Sequence, residues 1–162
     1  MRREMYHTQE KRGGRLYKPI ICTRKDAWLG YGYYFWDDVT DADKWGVNSK
    51  NKTGYYQVYK GVIDGEGILD TVFSEKDYSF FIQAIEKVVC DCRNKSGRDA
   101  EISDVCRYLM EVAKWDTMMD GALFADSPNT EIKSFNFRRR IQMVLYNLNC
   151  LESFNLLKEE HC

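Results

Sequence analysis

The chain has 162 residues, 44% hydrophobic and 30% charged, with a net charge of −1. That length allows one domain with a real core, and the near-neutral balance gives no global electrostatic case for a nucleic-acid or membrane partner. No apolar run approaches the roughly 18 residues that suggest a membrane span, and no apolar signal region follows Arg2 and Arg3, so a cytoplasmic protein is expected. The six cysteines, Cys22, Cys90, Cys92, Cys106, Cys150 and Cys162, form no CxxC pair, and His7 and His161 stand at opposite ends. Free thiols and no metal site are therefore expected. Cys90 and Cys92 read as buried thiols on a helix.

Charge is uneven along the chain. Arg2, Arg3, Lys11, Arg12, Arg15, Lys18, Arg24 and Lys25 face only Glu4 and Glu10 within residues 1–25, and Arg138–Arg140 form a second basic cluster. Each cluster is either a solvated face or a surface for an anion.

Residues 1–73 read as β-rich. The run Trp28–Asp37 packs six aromatics and two spaced glycines into ten residues. Glycines at that spacing weaken a strand, so the run suggests a backbone passing close to something flat, under a stacking surface. A short helix is expected from about Val39. Tyr55–Ile63 is a strand by its aromatic and β-branched content, Asp64–Gly67 is turn chemistry, and Ile68–Asp70 resumes an apolar segment. Residues 75–120 read as helical: Phe81, Ile85, Val88 and Cys92 recur at helical spacing behind a Ser74/Asp77 capping signal. Asn94–Gly97 breaks that helix, and a second is outlined from Ile102 to Met118. Strands are expected again at Gly121–Ala125 and Ile141–Tyr146, the latter as the final strand, after a loop over 126–140.

The order of these features resembles the ADP-ribosyltransferases of the diphtheria-toxin and poly(ADP-ribose) polymerase type, in particular small bacterial proteins of that fold. Gly30, Gly32, Tyr33, Tyr34 and Phe35 are similar to the family's Gly-x-Gly-(Ile/Phe)-Tyr-Phe motif, and Trp45 falls where a second aromatic follows on the next helix. Tyr6-His7-Thr8 is similar to the opening Tyr-His-Gly strand, with Thr8 in place of glycine. Gln142 stands where the better-known enzymes carry a glutamate at the head of a late strand. The resemblance covers most of 5–73 and, more weakly, 121–150. It implies an α+β domain over 1–162 with an ADP-ribosyltransferase-like split β-sheet core and a helical insertion at about 75–120.

It also implies a substrate, NAD, and a mono-ADP-ribosyltransferase that passes ADP-ribose to a protein or nucleic-acid acceptor. The catalytic candidates are His7, Tyr34 and Gln142: His7 on a ribose hydroxyl, Tyr34 against nicotinamide, Gln142 on the nicotinamide ribose. Trp45 would close the second wall, Gly30 and Gly32 would shape the backbone, and the Thr8 backbone would hold the nicotinamide amide. Arg12, Arg15 or Arg24 would face the pyrophosphate, with Arg24 the candidate cofactor contact. Glu131 and Glu152 are the alternative carboxylates. A toxin or defence role, with an inhibitor or antitoxin partner and no membrane, accompanies this reading. Because glutamine lacks the charge of glutamate, a weak or inactive NAD- or ADP-ribose-binding module is the alternative, and a purely structural use of the aromatics is the third.

Overall fold

A computed structural model describes residues 1–126 and 139–162 of the chain. They form a mixed α+β fold: a seven-stranded sheet in the order β4-β5-β6-β2-β1-β3-β7, with four helices among the described residues. The strands are β1 (Arg2–Glu10), β2 (Tyr33–Trp36), β3 (Tyr55–Asp64), β4 (Ile68–Asp70), β5 (Gly121–Asp126), β6 (Arg140–Leu145) and β7 (Leu151–His161). The helices are α1 (Val39–Ser49), α2 (Glu75–Ser96), α3 (Ile102–Arg107) and α4 (Trp115–Met118). All described strand pairs are antiparallel except β4 with β5.

The sheet has a seam. Strand β1 pairs with β3 from Arg2 to Glu10, whereas the described ladder between β1 and β2 is the single pair Tyr6–Trp36. Two half-sheets therefore meet at one point, β4-β5-β6-β2 on one side and β1-β3-β7 on the other. Alternate residues of a strand face opposite ways, and the core divides accordingly. Phe35, Leu123, Met143 and Leu145 of the first half-sheet pack with Met5 and Ile63 of the second, so the half-sheets close on each other. On the opposite face Tyr34, Ala122, Phe124 and Val144 pack with residues of α2–α4, and Tyr6, Trp36, Tyr56 and Val58 pack with residues of α1.

Local chemistry explains most boundaries. Asp38 caps α1 by accepting from the Thr40 N–H at 2.6 Å. Ser74 caps α2 through the Asp77 N–H at 3.2 Å, and the helix stops at Gly97. The expected second helix is broken. Its α-helical part ends at Arg107, a π-helical turn spans Tyr108–Val112, and Lys114 takes a left-handed φ of 55° before α4. That reversal turns Trp115 into the core, where it is 2% exposed and stacks 5.8 Å from Phe80.

The expected final strand is followed by another, β7. Its apolar residues do not alternate because two bulges interrupt the pairing with β3, one between Val58 and Tyr59 and one between Val62 and Ile63. Leu157 and Glu152 are the extra residues, and each resets which face its successors occupy. The strand therefore carries no period-2 signal. Cys90 is exposed and Cys92 half-buried, against the expectation of two buried thiols, because α2 buries only Phe81 and Val88 among its residues. All six cysteines are free. Among the described residues, no helix is long and apolar enough to cross a membrane.

Candidate functional site at the sheet seam

His7 sits where β1 and β2 diverge. It is 5% exposed, with its ring 5.5 Å from Phe35 and 5.9 Å from Phe154. Nδ1 lies 2.9 Å from the Tyr34 carbonyl, and the Ile20 N–H points to Nε2 at 3.4 Å. A carbonyl only accepts and a backbone N–H only donates. The ring is therefore neutral, with the proton on Nδ1 and the lone pair on Nε2. Burial holds the imidazole down at about 4; the Tyr34 carbonyl opposes this and the Lys50 charge adds to it. His7 thus replaces part of the missing β1–β2 ladder with a side-chain bond.

The segment between β1 and β2 is tied across this point. The Leu16 N–H donates to the Tyr59 hydroxyl at 2.9 Å, Ile20 meets His7, and Cys22 exchanges backbone bonds with Gly32 at 2.7 and 3.1 Å. Farther along, the Tyr34 hydroxyl donates to the Gly30 carbonyl at 2.8 Å and accepts from the Leu29 N–H at 3.1 Å. The Tyr146 hydroxyl donates to the Leu29 carbonyl at 2.9 Å. Burial pushes both phenols up, so they act as neutral hydrogen-bonding groups. Gly30 has a φ of +88°, and a Cβ there would fall on the Met110 side chain; at Gly32 it would fall on Val144 and the Leu145 carbonyl. The close approaches that these two glycines permit are to Met110 and to β6.

Tyr34, Trp36 and Gln142 share the helix-covered face: Trp36 pairs with Gln142 and Tyr34 with Val144 across β2 and β6. The Tyr34 ring meets Phe124 edge-on at 6.4 Å, and Trp45 meets Trp36, not Tyr34, at 5.8 Å. So Trp36 stands between the two expected walls. The Thr8 hydroxyl, on the same side as α1, donates to the Ala42 carbonyl at 2.8 Å. His7 points to the other face and touches the backbone of Tyr34. The seam therefore gathers His7, Tyr34, Trp45 and Gln142 onto three neighbouring strands and one helix, on two faces.

The charged candidates are mostly paired. Arg24 forms a two-pronged pair with Asp26 at 2.9 and 2.6 Å, both side chains well exposed. Arg12 lies 3.6 Å from Glu10, and Arg15 donates to Asn155 at 3.2 Å. Arg2 pairs with Glu152 on β7, and Arg3 with Asp37. The amino-terminal cations are thus spread over several carboxylates. Glu131 and Arg138 lie outside the described residues. Arg139 helps to line a polar depression of about 460 Å³ beside Asp37, Asp41 and Lys44 at the start of α1.

Around Gln142 the structure adds a residue that the sequence did not single out, Asp126, which ends β5 where a loop over 126–140 was expected. Asp126, at the end of β5, faces Arg140 across the β5–β6 ladder and receives its guanidinium at 2.9 and 2.6 Å. Gln142 Nε2 lies 3.4 Å from Asp126 Oδ2, and the Arg140 guanidinium lies 5.6 Å from the centre of the Trp36 ring. Arg140 belonged to a visible basic cluster, but its partner follows from register alone. Among the described residues, no group of three or more His, Cys, Asp or Glu is placed to hold a metal ion. In comparison with known proteins, no family model, curated protein or solved structure matches the chain.

Proposed function

We propose that this protein is an NAD-dependent mono-ADP-ribosyltransferase with an ADP-ribosyltransferase-like split sheet, a cytoplasmic toxin or defence effector acting on a protein or nucleic-acid acceptor. The observation that carries the reading is the seam, a single β1–β2 pair flanked by His7, Tyr34 and Gln142 in the expected chain order. In the reaction, the bond from C1′ of the nicotinamide ribose to the ring nitrogen breaks, and its electron pair leaves with neutral nicotinamide. A lone pair of the acceptor forms the new bond to C1′, and the acceptor's proton passes to solvent. Positive charge develops on the ribose as the bond breaks, so fixed dipoles and negative charge there lower the barrier.

The residues have matching chemistry. His7 Nε2 is an acceptor held on a fixed ring, facing the Ile20 N–H on the sheet face opposite Tyr34 and Gln142, and is the group proposed for a ribose hydroxyl. Trp45, half-buried beside Trp36, offers an aromatic face. Tyr34 forms the floor of the nicotinamide site, Gly30 and Gly32 set the turn beside it, the Thr8 backbone takes the amide, and Arg24 exchanges Asp26 for pyrophosphate. An inhibitor or antitoxin protein is the partner that accompanies this reading.

Incubation of the full chain with labelled NAD and cell lysate tests this function. Transfer of label to an acceptor with release of nicotinamide is expected. Neither event, from protein that binds NAD in calorimetry, overturns the catalytic claim. The second reading, a binding module for NAD or ADP-ribose, is favoured by the near-complete burial of His7 and the uncharged Gln142. Tight ADP-ribose binding without NAD cleavage distinguishes it.

A further inference from the structure

We propose that Asp126 supplies the negative charge that a glutamate at position 142 would carry, and that Gln142 is the neutral half of an Asp126–Gln142 pair. This rests on the ADP-ribosyltransferase reading and deepens it. The β5–β6 register sets Phe124 opposite Gln142 and Asp126 opposite Arg140, which brings Asp126, Arg140 and Gln142 to one face of the sheet beside Trp36. Arg140 grips both Asp126 oxygens, at 2.9 and 2.6 Å, and so fixes the carboxylate plane. Gln142 Nε2 approaches Oδ2 at 3.4 Å.

Two consequences follow from that contact. An ionised carboxylate only accepts hydrogen bonds, so the amide turns its NH2 group to Asp126 and its Oε1 away. Oε1 is then the acceptor presented to a ribose hydroxyl, in a fixed orientation. The second consequence explains the glutamine. A glutamate at position 142 would set two carboxylates side by side against the single Arg140 cation, and their repulsion would disfavour the doubly charged pair. Asp126 and Gln142 together carry one carboxylate, paired with Arg140, and exchanging the two side-chain types, acid for amide at each position, would keep that count. Asp126 acts through Gln142 and is a positioning residue.

The charge swap is testable in the full chain by nicotinamide release from NAD. Asp126→Asn is expected to lower kcat by about 10²–10³ and to leave KM within about threefold, the signature of an interaction made in the transition state. Adding Gln142→Glu to Asp126→Asn is expected to recover at least about tenfold in kcat, because it restores one charge to the pair. A D126N enzyme with kcat within about threefold of wild type overturns the inference, and so does a double variant no faster than D126N. If loss of the Arg140 partner prevents D126N from folding, the same comparison is made with Arg140→Met added to both variants. Wild type that cleaves NAD with an indifferent Asp126 overturns this inference alone. Wild type that releases no nicotinamide overturns the enzymatic reading and this inference with it.

Discussion

The two faces of the sheet at the seam are built on opposite principles. On the His7 face, the half-sheets pack directly on each other through Phe35, Met5, Met143 and Leu145, all fully buried, and the titratable ring there is held neutral. On the other face, Trp36 packs with Trp45 of α1, while Arg140, Asp126 and Gln142 form a polar, half-buried cluster where β5 ends and β6 begins. One face buries a neutral imidazole; the other holds an ion pair. A group that must stay uncharged is best kept dry, whereas an ion pair needs partial access to water to avoid a large desolvation cost.

Substitutions can break that contrast. The largest effect is expected from Phe35→Ala, which removes the side chain joining the half-sheets and should cost about 3–5 kcal/mol in urea unfolding. Next comes the pH dependence of His7. Its folded pKa, about 4, lies below the unfolded value of roughly 6.5, so the unfolded chain takes up a proton that the folded chain refuses. Stability should be fully present above about pH 6.5 and fall as pH drops towards 4, by on the order of 2–3 kcal/mol in all. His7→Gln should remove that slope; a slope unchanged in the variant would show that His7 is not its source.

On the helix-covered face, Trp45 is only half-buried, so Trp45→Ala should cost about 1–2 kcal/mol, less than Phe35→Ala. NAD binding should weaken at the same time. A folded variant with wild-type affinity would remove Trp45 from the proposed site. The smallest change in stability is expected for Arg24→Ala. Its pair with Asp26 is solvent-exposed and screened, so its loss should leave the urea midpoint nearly unchanged. Calorimetry then decides its role: loss of NAD affinity in a normally stable variant places Arg24 at the pyrophosphate, and unchanged affinity leaves it a surface residue.

Legibility followed the range of the forces involved. Tyr55–Ile63 and Ile68–Asp70 could be read as strands, and α1 and α2 as helices, because their signals are local: β-branched and aromatic runs, a Ser74 cap, apolar residues one turn apart. Strand β7 could not, because its two bulges depend on the partner strand. The break at Lys114 could not, because burial of Trp115 against Phe80 outweighs the helical preference of the surrounding residues. At the site, the residue types and their order were visible in His7, Tyr34, Trp45 and Gln142, but not their facing. Trp36 stands beside Trp45 because of where α1 crosses the sheet, and His7 turns to the Tyr34 carbonyl because the β1–β2 ladder stops at Tyr6.

The sequence by itself determined the periodicities, the caps and the presence of an aromatic, glycine-spaced motif, since each depends on neighbours a few residues away. Only the tertiary structure decided that Gly30 and Gly32 make room for Met110 and β6, that His7 is neutral, and that Asp126 stands 3.4 Å from Gln142. Each of those depends on strand register and burial, and they join residues as far as 113 positions apart, from Gly32 to Leu145, which no local pattern can encode.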